Sequence, residues 1–372
     1  MYIYEDKNWP HFKWNLNRLE PLLSALRYKQ GKLLGRMESI GFDLQNEAVL
    51  RTLTQDVVKS SEIEGEILDT AQVRSSITRR LGVEIGGLST INKNVEGIVE
   101  IMLDATTKFS YPLTQDRLLG WHAALFPTGY SGMNKILVSR WRDDSHGPMQ
   151  VISGPFGKEH IHFQAPSAHL LDKEMSDFLK WFNREENLDL VLKSGIAHFW
   201  FVTIHPFEDG NGRIARALSD MLLARSENSS QRFYSFSAEI QRERNKYYDI
   251  LEMSQKGTID ITLWLEWFLE CLEKAIENAQ ESLTTILLKA KFWEKHSHFS
   301  FNERQRKILN LLWDGFQGNL TSSKWAKITK CSQDTAHRDI IDLIKKDILR
   351  KNTEGGRSTN YSLVSPKNKQ IA

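Results

Sequence analysis

The chain has 372 residues, which is long enough for two or three domains. Its 40% hydrophobic and 26% charged residues are typical of a globular protein with a sizeable core, and they argue against a disordered or fibrous chain. The net charge of +2 is divided unevenly, because residues 301–372 contain 14 Lys and Arg against 7 Asp and Glu. A basic tail on a mildly acidic body suggests contact with nucleic acid.

The compartment is predicted from what the sequence lacks. The first residues, "MYIYEDKNWPHFKW", do not show a basic region followed by an apolar core, so we expect no signal peptide. No apolar run approaches the roughly 18–20 residues that span a bilayer. The two cysteines, Cys271 and Cys331, fall in different predicted domains and have no metal-ligand spacing. These features predict a reduced, cytoplasmic protein that does not enter a membrane.

Most of the chain has helical periodicity. In residues 44–64 the apolar positions recur every three or four residues, which predicts a helix with one buried stripe. Gly65 then suits the end of that helix, and "LGVEIGG" ends a second helix over 71–81. Further helices are predicted over 90–107, 114–125, 168–183, 188–204, 214–226, 238–256 and 259–294.

One stretch of the body has strand character. Residues 141–166, "WRDDSHGPMQVISGPFGKEHIHFQAP", contain two short β-like pieces, "MQVIS" and "HIHFQ", between Gly and Pro residues. This pattern predicts a β-hairpin with a loop between its strands.

The tail is predicted to be a winged helix-turn-helix domain. Three helical segments, "NERQRKILNLLWDG", "TSSKWAKIT" and "CSQDTAHRDIIDLIKKD", precede two strands around the Gly–Gly turn of "ILRKNTEGGRSTNYSLV". Such a domain binds DNA in some proteins and serves as a docking or dimer surface in others.

The stretch "HPFEDGNGRIAR" directly follows the apolar run "IAHFWFVTI" and is unusually polar for a connection between helices. Gly210 and Gly212 allow a phosphate to approach the main chain at a helix start, where N–H groups and the helix dipole favour an anion. Asn211 adds side-chain donors. Arg213 and Arg216 lie three residues apart on the following helix and suit phosphate oxygens. A di- or triphosphate is the expected ligand.

Two further residues of this stretch indicate chemistry. Asp209 would be repelled by phosphates unless a cation lay between them, which predicts Mg²⁺ bound by this carboxylate and by phosphate oxygens. His205 has a side chain that titrates near neutrality and is able to accept a proton from a hydroxyl group. Together they predict transfer of a phosphorus group from a nucleotide to a hydroxyl.

"HPFEDGNGRIAR" resembles the Fic-family motif HxFx(D/E)GNGRxxR at every specified position, and the resemblance extends over roughly residues 91–272. Similar members of that family are protein adenylyltransferases, which move AMP from ATP to a Ser, Thr or Tyr hydroxyl and release pyrophosphate. The resemblance implies that His205 is the catalytic base, that Phe207 anchors the loop in the core and that Asp209 holds Mg²⁺.

The resemblance also assigns the nucleotide contacts. It implies that Gly210, Asn211 and Gly212 bind the α- and β-phosphates, that Arg213 contacts a phosphate and that Arg216 meets the γ-phosphate. The related Doc toxins carry Lys in place of Gly212 and phosphorylate instead, so the glycine favours AMP transfer.

Two other segments resemble parts of the same family. "NKYYDIL" resembles its paired tyrosines near the adenine, which makes Tyr247 and Tyr248 candidates for base binding, with ordinary helix packing as the alternative. The hairpin would be the flap that aligns the target segment by strand pairing, with a plain surface hairpin as the alternative.

A second motif, "SSEIEGE", resembles the family's inhibitory signature [S/T]xxxE[G/N] at Ser60, Glu64 and Gly65. A Glu64 carboxylate paired with Arg216 would occupy the place of the γ-phosphate, so that ATP binds with its α-phosphate turned away from attack. The same carboxylate could instead orient a water molecule and support removal of AMP. The alternative is that this motif is only a charged helix end that faces solvent and has no function.

We therefore expect a mainly α protein with a Fic-fold core. Four segments are predicted: an N-terminal helical region with an inhibitory helix over 1–90, a catalytic domain over 91–275, a helical linker over 276–298 and a winged helix over 299–372. The expected function is self-inhibited, Mg²⁺-dependent adenylylation of proteins, and the chain itself is one candidate target. A homodimer is a candidate assembly. The alternatives are an enzyme that both adds and removes AMP, and a DNA-binding regulator whose Fic domain senses nucleotide.

Overall fold

The computed structural model describes residues 1–82, 92–145, 147–154, 157–158, 160–185, 187–313, 316, 318–352 and 359–364. The chain folds as two compact units, Met1–Ser282 and Leu283–Ala372. Helix α11 begins in the first unit and ends in the second. The domain boundary predicted at residues 90 and 91, the "VEIGG" helix end and the Gly–Gly turn of the tail lie outside the described residues.

The first unit is built mainly from helices. They are α1 (Leu16–Glu38), α2 (Phe42–Ile63), α3 (Thr70–Leu81), α4 (Lys93–Thr107), α5 (Gln115–Leu125), α6 (Leu171–Asn183), α7 (Leu190–Ile204), α8 (Asn211–Glu227), α9 (Phe236–Arg242), α10 (Arg244–Gln255) and α11 (Thr262–Lys295). Two antiparallel hairpins lie among them, β1 (Tyr130–Ser131) with β2 (Asn134–Lys135), and β3 (Gln150–Ser153) with β4 (His160–Gln164). The prediction of a mainly α protein is confirmed.

Helix α7 lies at the centre of the first unit. Every residue from Val191 to Ile204 is buried, as expected for a mainly apolar helix surrounded by others. It packs along α8, which carries four residues of the predicted site, Asn211, Gly212, Arg213 and Arg216. Gly195 allows α11 to approach closely, because an added Cβ there would lie 3.0 Å from Leu265 and 3.1 Å from Phe268. The loop between α7 and α8 is therefore anchored at both ends by buried helices.

The β3–β4 hairpin agrees with the predicted strands. Gln150 pairs with Gln164 and Ser153 with His160, and the register shifts between Val151 and Ile152. Such a bulge increases the local twist and bends the strand.

Three local features differ from the prediction. Helix α1 was not predicted, because Pro21 lies inside it and its buried positions form only a narrow stripe. The single helix predicted over 238–256 is wrong, since the backbone leaves helical geometry at Glu243, whose carboxylate binds Lys274. Strands β1 and β2 were missed because two residues each are too few to show alternation.

The second unit contains α12 (Glu303–Trp313), α13 (Ser322–Thr329), α14 (Gln333–Lys345), β5 (Leu349–Lys351) and β6 (Tyr361–Leu363). The strands pair antiparallel, with Leu349 opposite Leu363. Thr321 and Ser332 begin α13 and α14 by accepting hydrogen bonds from main-chain N–H groups. These elements follow the predicted order. In the described ranges of both units, no helix combines the length and the apolar character that a membrane crossing requires.

Candidate active site between α7 and α8

The loop from His205 to Gly210 turns the chain sharply between two buried helices. His205 ends α7 with a left-handed backbone, φ 52° and ψ 59°, an unusual conformation for a residue other than glycine. Gly210 precedes α8 with φ 87°, and an added Cβ would meet Leu125 and Phe126 at 3.0 Å. Only glycine satisfies both the backbone angle and the space at this position.

Buried side chains hold the loop in place. Phe207 is fully buried, and its ring stacks on His122 with centroids 4.1 Å apart. The Asn211 side chain accepts a hydrogen bond from the Phe207 N–H at 3.0 Å and donates one to the Phe207 carbonyl at 2.8 Å. Asn211 is thus engaged in holding the loop, whereas the sequence analysis expected its donors to face an anion.

The His205 ring is held in one tautomer. Its Nδ1 donates to the Val202 carbonyl at 3.2 Å, which leaves Nε2 as the basic nitrogen. Nε of Arg142 donates to the His205 carbonyl at 2.7 Å and fixes the backbone on the other side. Burial lowers the pKa of His205 to about 4. The imidazole is therefore neutral at pH 7, the form that accepts a proton.

The Asp209 carboxylate lies at the start of α8 and is 38% exposed. It accepts hydrogen bonds from the Ser131 hydroxyl and, at 2.5 Å, from the Gly210 N–H. Nε2 of His122 donates to the Asp209 carbonyl at 3.2 Å, and burial lowers the pKa of His122 to about 4. The Ser131 hydroxyl and the Gly210 N–H therefore orient the carboxylate predicted to bind Mg²⁺, and a neutral, buried imidazole holds the main chain of the same residue.

Arg216 is fully buried on α8 and contacts the end of α2. Its Nε donates to the Ser60 hydroxyl at 2.9 Å, and Nη2 donates both to the Ser60 carbonyl and to Oε1 of Glu64, each at 2.8 Å. Glu64 and Arg216 are therefore in direct contact, as the inhibitory motif predicts.

The Glu64 carboxylate also lies against the backbone of Gly212. A Cβ added to Gly212 would lie 2.1 Å from Oε1 of Glu64, so no larger residue fits while Glu64 is in this position. The first N–H groups of α8 have no partner within the helix and favour an anion. A carboxylate of the chain itself thus lies at the place where the sequence analysis expected phosphate.

A second carboxylate, which the sequence analysis missed, reaches the other arginine. Gly65 has φ 84° and turns the chain after α2, and the Glu66 N–H bonds to the Ser61 carbonyl at 3.0 Å. Oε2 of Glu66 then lies 2.8 Å from Nη1 of Arg213. Glu66 was visible in "SSEIEGE", but its partner lies 147 residues away, and sequence spacing does not reveal such a contact.

The two tyrosines of α10 differ in environment. Tyr247 is buried, and its hydroxyl lies 2.9 Å from Nε2 of His198. Burial raises the pKa of Tyr247 well above its usual value. Tyr248 is partly exposed, and Arg244 lies over its ring at 5.3 Å. Tyr248 is therefore the more accessible of the two candidates for contact with a base.

Family comparison gives two matches along the chain. Residues 112–223 match the Fic/DOC family, and residues 2–83 match a domain of unknown function, DUF4172. The second match covers α2, which contains Ser60, and Glu64 directly after it.

A relative from Drosophila yakuba, named Protein adenylyltransferase Fic, is 27% identical over 269 residues, which cover 69% of this chain and 48% of the relative. The chain thus spans about half the length of this curated relative. A crystal structure of a Fic family protein from Desulfovibrio desulfuricans aligns with a TM-score of 0.52 and 20% identity, over 95% of this chain and 97% of that one.

A Fic domain containing signaling protein from Bacteroides thetaiotaomicron aligns with a TM-score of 0.50 and 18% identity, over 72% of this chain and 98% of that one. These structural likenesses agree with the fold described above. The family match is the ground for one conclusion: residues 112–223, which contain His205 and the whole α7–α8 loop, form a domain of the Fic/DOC family.

Proposed function

We propose that this chain is a protein adenylyltransferase that is held inactive by the turn between its own α2 and α3. The Fic/DOC match and the name of the Drosophila relative support the class of reaction. The observation that carries the proposal is a neutral histidine with Nε2 as its basic nitrogen, in the same short loop as a helix start that suits phosphate.

In the proposed reaction, the oxygen of a Ser, Thr or Tyr hydroxyl on the target attacks the α-phosphorus of ATP. A bond forms between that oxygen and phosphorus, the bond from the α-phosphorus to the bridging oxygen breaks, and pyrophosphate leaves. Nε2 of His205 takes the hydroxyl proton. The hydrogen bond from Nδ1 to Val202 keeps the ring oriented throughout.

The residues present fit a magnesium ion. Mg²⁺ in nucleotide sites is usually held by one or two carboxylates together with phosphate oxygens and water. The Asp209 carboxylate is partly exposed and already oriented by Ser131 and Gly210, so it would hold the ion. Bound there, Mg²⁺ would neutralise charge on the phosphates.

The inhibitory part of the proposal rests on two arginines of α8, Arg213 and Arg216. Arg216 is neutralised by Glu64 and Arg213 by Glu66, and both carboxylates come from one turn after α2. A γ-phosphate would have to displace the first of them. Because a displacement of about 1 Å from the reactive geometry costs up to roughly 100-fold in rate, a nucleotide bound around Glu64 would react poorly.

Removal of AMP is a second candidate activity of the same site. The Glu64 side chain is 28% exposed, so a water molecule has access to its carboxylate. A carboxylate near the α8 start would orient that water toward the phosphorus of a modified target.

The test uses labelled ATP with cell lysate and purified target candidates, comparing the natural chain, Glu64→Gly and Glu64→Gly combined with His205→Ala. We expect labelled protein with Glu64→Gly and none with the double variant, and mass spectrometry would identify the modified hydroxyl. If Glu64→Gly transfers no AMP to any protein, the proposal fails. Incubation of the modified target with the natural chain separates the two activities, because only AMP removal requires Glu64.

A further inference from the structure

A cluster of three potential metal ligands lies between the β3–β4 hairpin and helix α10. It consists of His160 and His162 on β4 and Glu252 on α10, and one ligand atom from each lies within 4.8 Å of the others. Residues two apart on a strand project from the same face, so both imidazoles meet the helix together. The ring centroids of the two histidines are 4.5 Å apart.

We propose that His160, His162 and Glu252 bind one Zn²⁺ ion or a similar divalent transition metal. Two imidazoles and one carboxylate are a frequent zinc ligand set, whereas Mg²⁺ and Ca²⁺ prefer oxygen ligands alone. Three protein ligands leave a fourth position for water. The ion would tie β4 of the hairpin to α10.

The distances allow this with small side-chain movements. Nδ1 of His162 lies 2.5 Å from Oε2 of Glu252, and Nε2 of His160 lies 3.7 Å from Oε1. Ligand atoms about 2.0–2.2 Å from a tetrahedral zinc are themselves roughly 3.3 Å apart. The two distances run to different oxygens of Glu252, and one ligand atom from each of the three residues lies within 4.8 Å of the others. The side chains would therefore rotate by a small amount to reach the zinc spacing.

A supporting residue is already in place. The Ser153 hydroxyl on β3 lies 2.6 Å from Nε2 of His162. A metal-bound histidine usually donates its other ring N–H to a nearby acceptor, which fixes the ring and its tautomer. With the metal on Nδ1 of His162, the Ser153 oxygen would accept from Nε2.

One positive group opposes the ion. Nζ of Lys256 donates to Oε1 of Glu252 at 2.6 Å, so the lysine and the metal would share or compete for the same carboxylate. The side chain of Lys256 is 38% exposed and extends from a helix end, so it is able to move into solvent. Because Lys256 would repel the metal ion, its removal should strengthen metal binding, and this direction tests the proposal.

The first experiment measures zinc binding by the full chain after treatment with a chelator, in competition with a chromophoric zinc indicator. We expect the natural chain to bind one equivalent more than the double variant His160→Ala, His162→Ala. The control His169→Ala removes an exposed histidine outside the cluster and should bind like the natural chain. Equal binding by the natural chain and the double variant would overturn the proposal.

The second experiment compares single variants that preserve the fold, with far-UV circular dichroism and thermal unfolding as checks. Glu252→Gln should weaken zinc binding by more than the roughly 10–100-fold typical of an outer-shell change, and Ser153→Ala by about that range. Lys256→Ala should tighten binding roughly tenfold, because a positive charge is removed beside a dication. Weaker binding by Lys256→Ala, or unchanged binding by Glu252→Gln, would contradict the assigned ligands.

The third readout is stability. Zinc should raise the Tm of the natural chain and leave that of the double variant unchanged, because a ligand that binds only the folded state stabilises it. If the cluster only holds the hairpin by the His162–Glu252 hydrogen bond, zinc will move neither Tm, and the proposal fails.

Discussion

Nη2 of Arg216 and Oε1 of Glu64 lie 2.8 Å apart, in a pair whose arginine is fully buried and whose glutamate is 28% exposed. The asymmetry matters for function. A buried guanidinium without an anionic partner is strongly disfavoured, whereas a partly exposed carboxylate is able to move toward solvent. The site is therefore built to exchange one anion for another at Arg216, and a phosphate is the natural replacement.

The second pair gives a prediction that the sequence motif alone did not contain. Glu66→Ala should raise AMP transfer because it removes the Glu66 carboxylate from Arg213. The increase should be smaller than with Glu64→Gly, since the Glu66 substitution leaves the contact between Glu64 and Arg216 intact. Incorporation of labelled AMP is the measurement. The control is Glu47→Ala, which breaks an ion pair of the same length between α2 and Arg74 of α3. Equal rates for Glu66→Ala and the control would remove Glu66 from the inhibitory account.

His205 is expected to act on the target hydroxyl and not on the nucleotide. In a Glu64→Gly background, His205→Ala should lower the rate of AMP transfer by roughly 10²–10⁴-fold while ATP binding stays nearly intact. Single-turnover incorporation and calorimetric titration with ATP measure the two effects. His169→Ala, which changes an exposed histidine, is the control. Full activity without His205 would show that the proton has another acceptor.

The pH dependence of the rate follows from the same ring. Burial lowers the pKa of His205 to about 4, so the neutral base persists as the pH falls from 8 to 6 and is lost only near pH 4. An ordinary histidine, with a pKa of about 6.5, would be only about one-quarter neutral at pH 6. We therefore expect the kcat/KM of Glu64→Gly for the target to be nearly flat between pH 6 and 8. A fall to about one-quarter at pH 6 would contradict the buried setting of His205.

Two glycines with similar backbone angles provide a matched test of the loop. Gly210 has φ 87° and no room for a Cβ, whereas Gly65 has φ 84° and nothing within 4 Å of an added Cβ. Gly65→Ala should lower the free energy of unfolding by about 1 kcal/mol through backbone strain alone. Gly210→Ala adds a clash with Leu125 and Phe126, for a total loss of roughly 2–4 kcal/mol. Urea unfolding measures both, and equal losses would show that the loop relaxes freely.

Much of the site was predictable because its residues are consecutive. From His205 to Arg216, the chemistry of each side chain and the start of a helix are visible in one stretch of sequence, and the helical periodicity of the body is equally local. The contacts that complete the site are not local. His122 stacks on Phe207 from another helix, and Ser131 reaches Asp209 from a hairpin too short to show a strand pattern.

The sequence also does not predict the environment of each titratable side chain in the site. Nothing in the sequence shows that His205 is buried enough to lower its pKa to about 4, or that Tyr247 bonds to His198 while Tyr248 stays partly exposed. Such features depend on how α7, α8 and α10 pack, and this packing involves residues distant in the sequence.

The most direct test of self-inhibition compares Glu64→Gly and Arg216→Ala side by side, with incorporation of labelled AMP at saturating ATP as the single measurement. Both changes break the same 2.8 Å pair, so a purely structural ion pair predicts the same loss in each. The inhibitory account predicts opposite results, because removing the carboxylate frees the γ-phosphate position, whereas removing the guanidinium deletes the group that must hold that phosphate. A strong rise with Glu64→Gly and none with Arg216→Ala would support the account; equal or falling activity in both variants would contradict it.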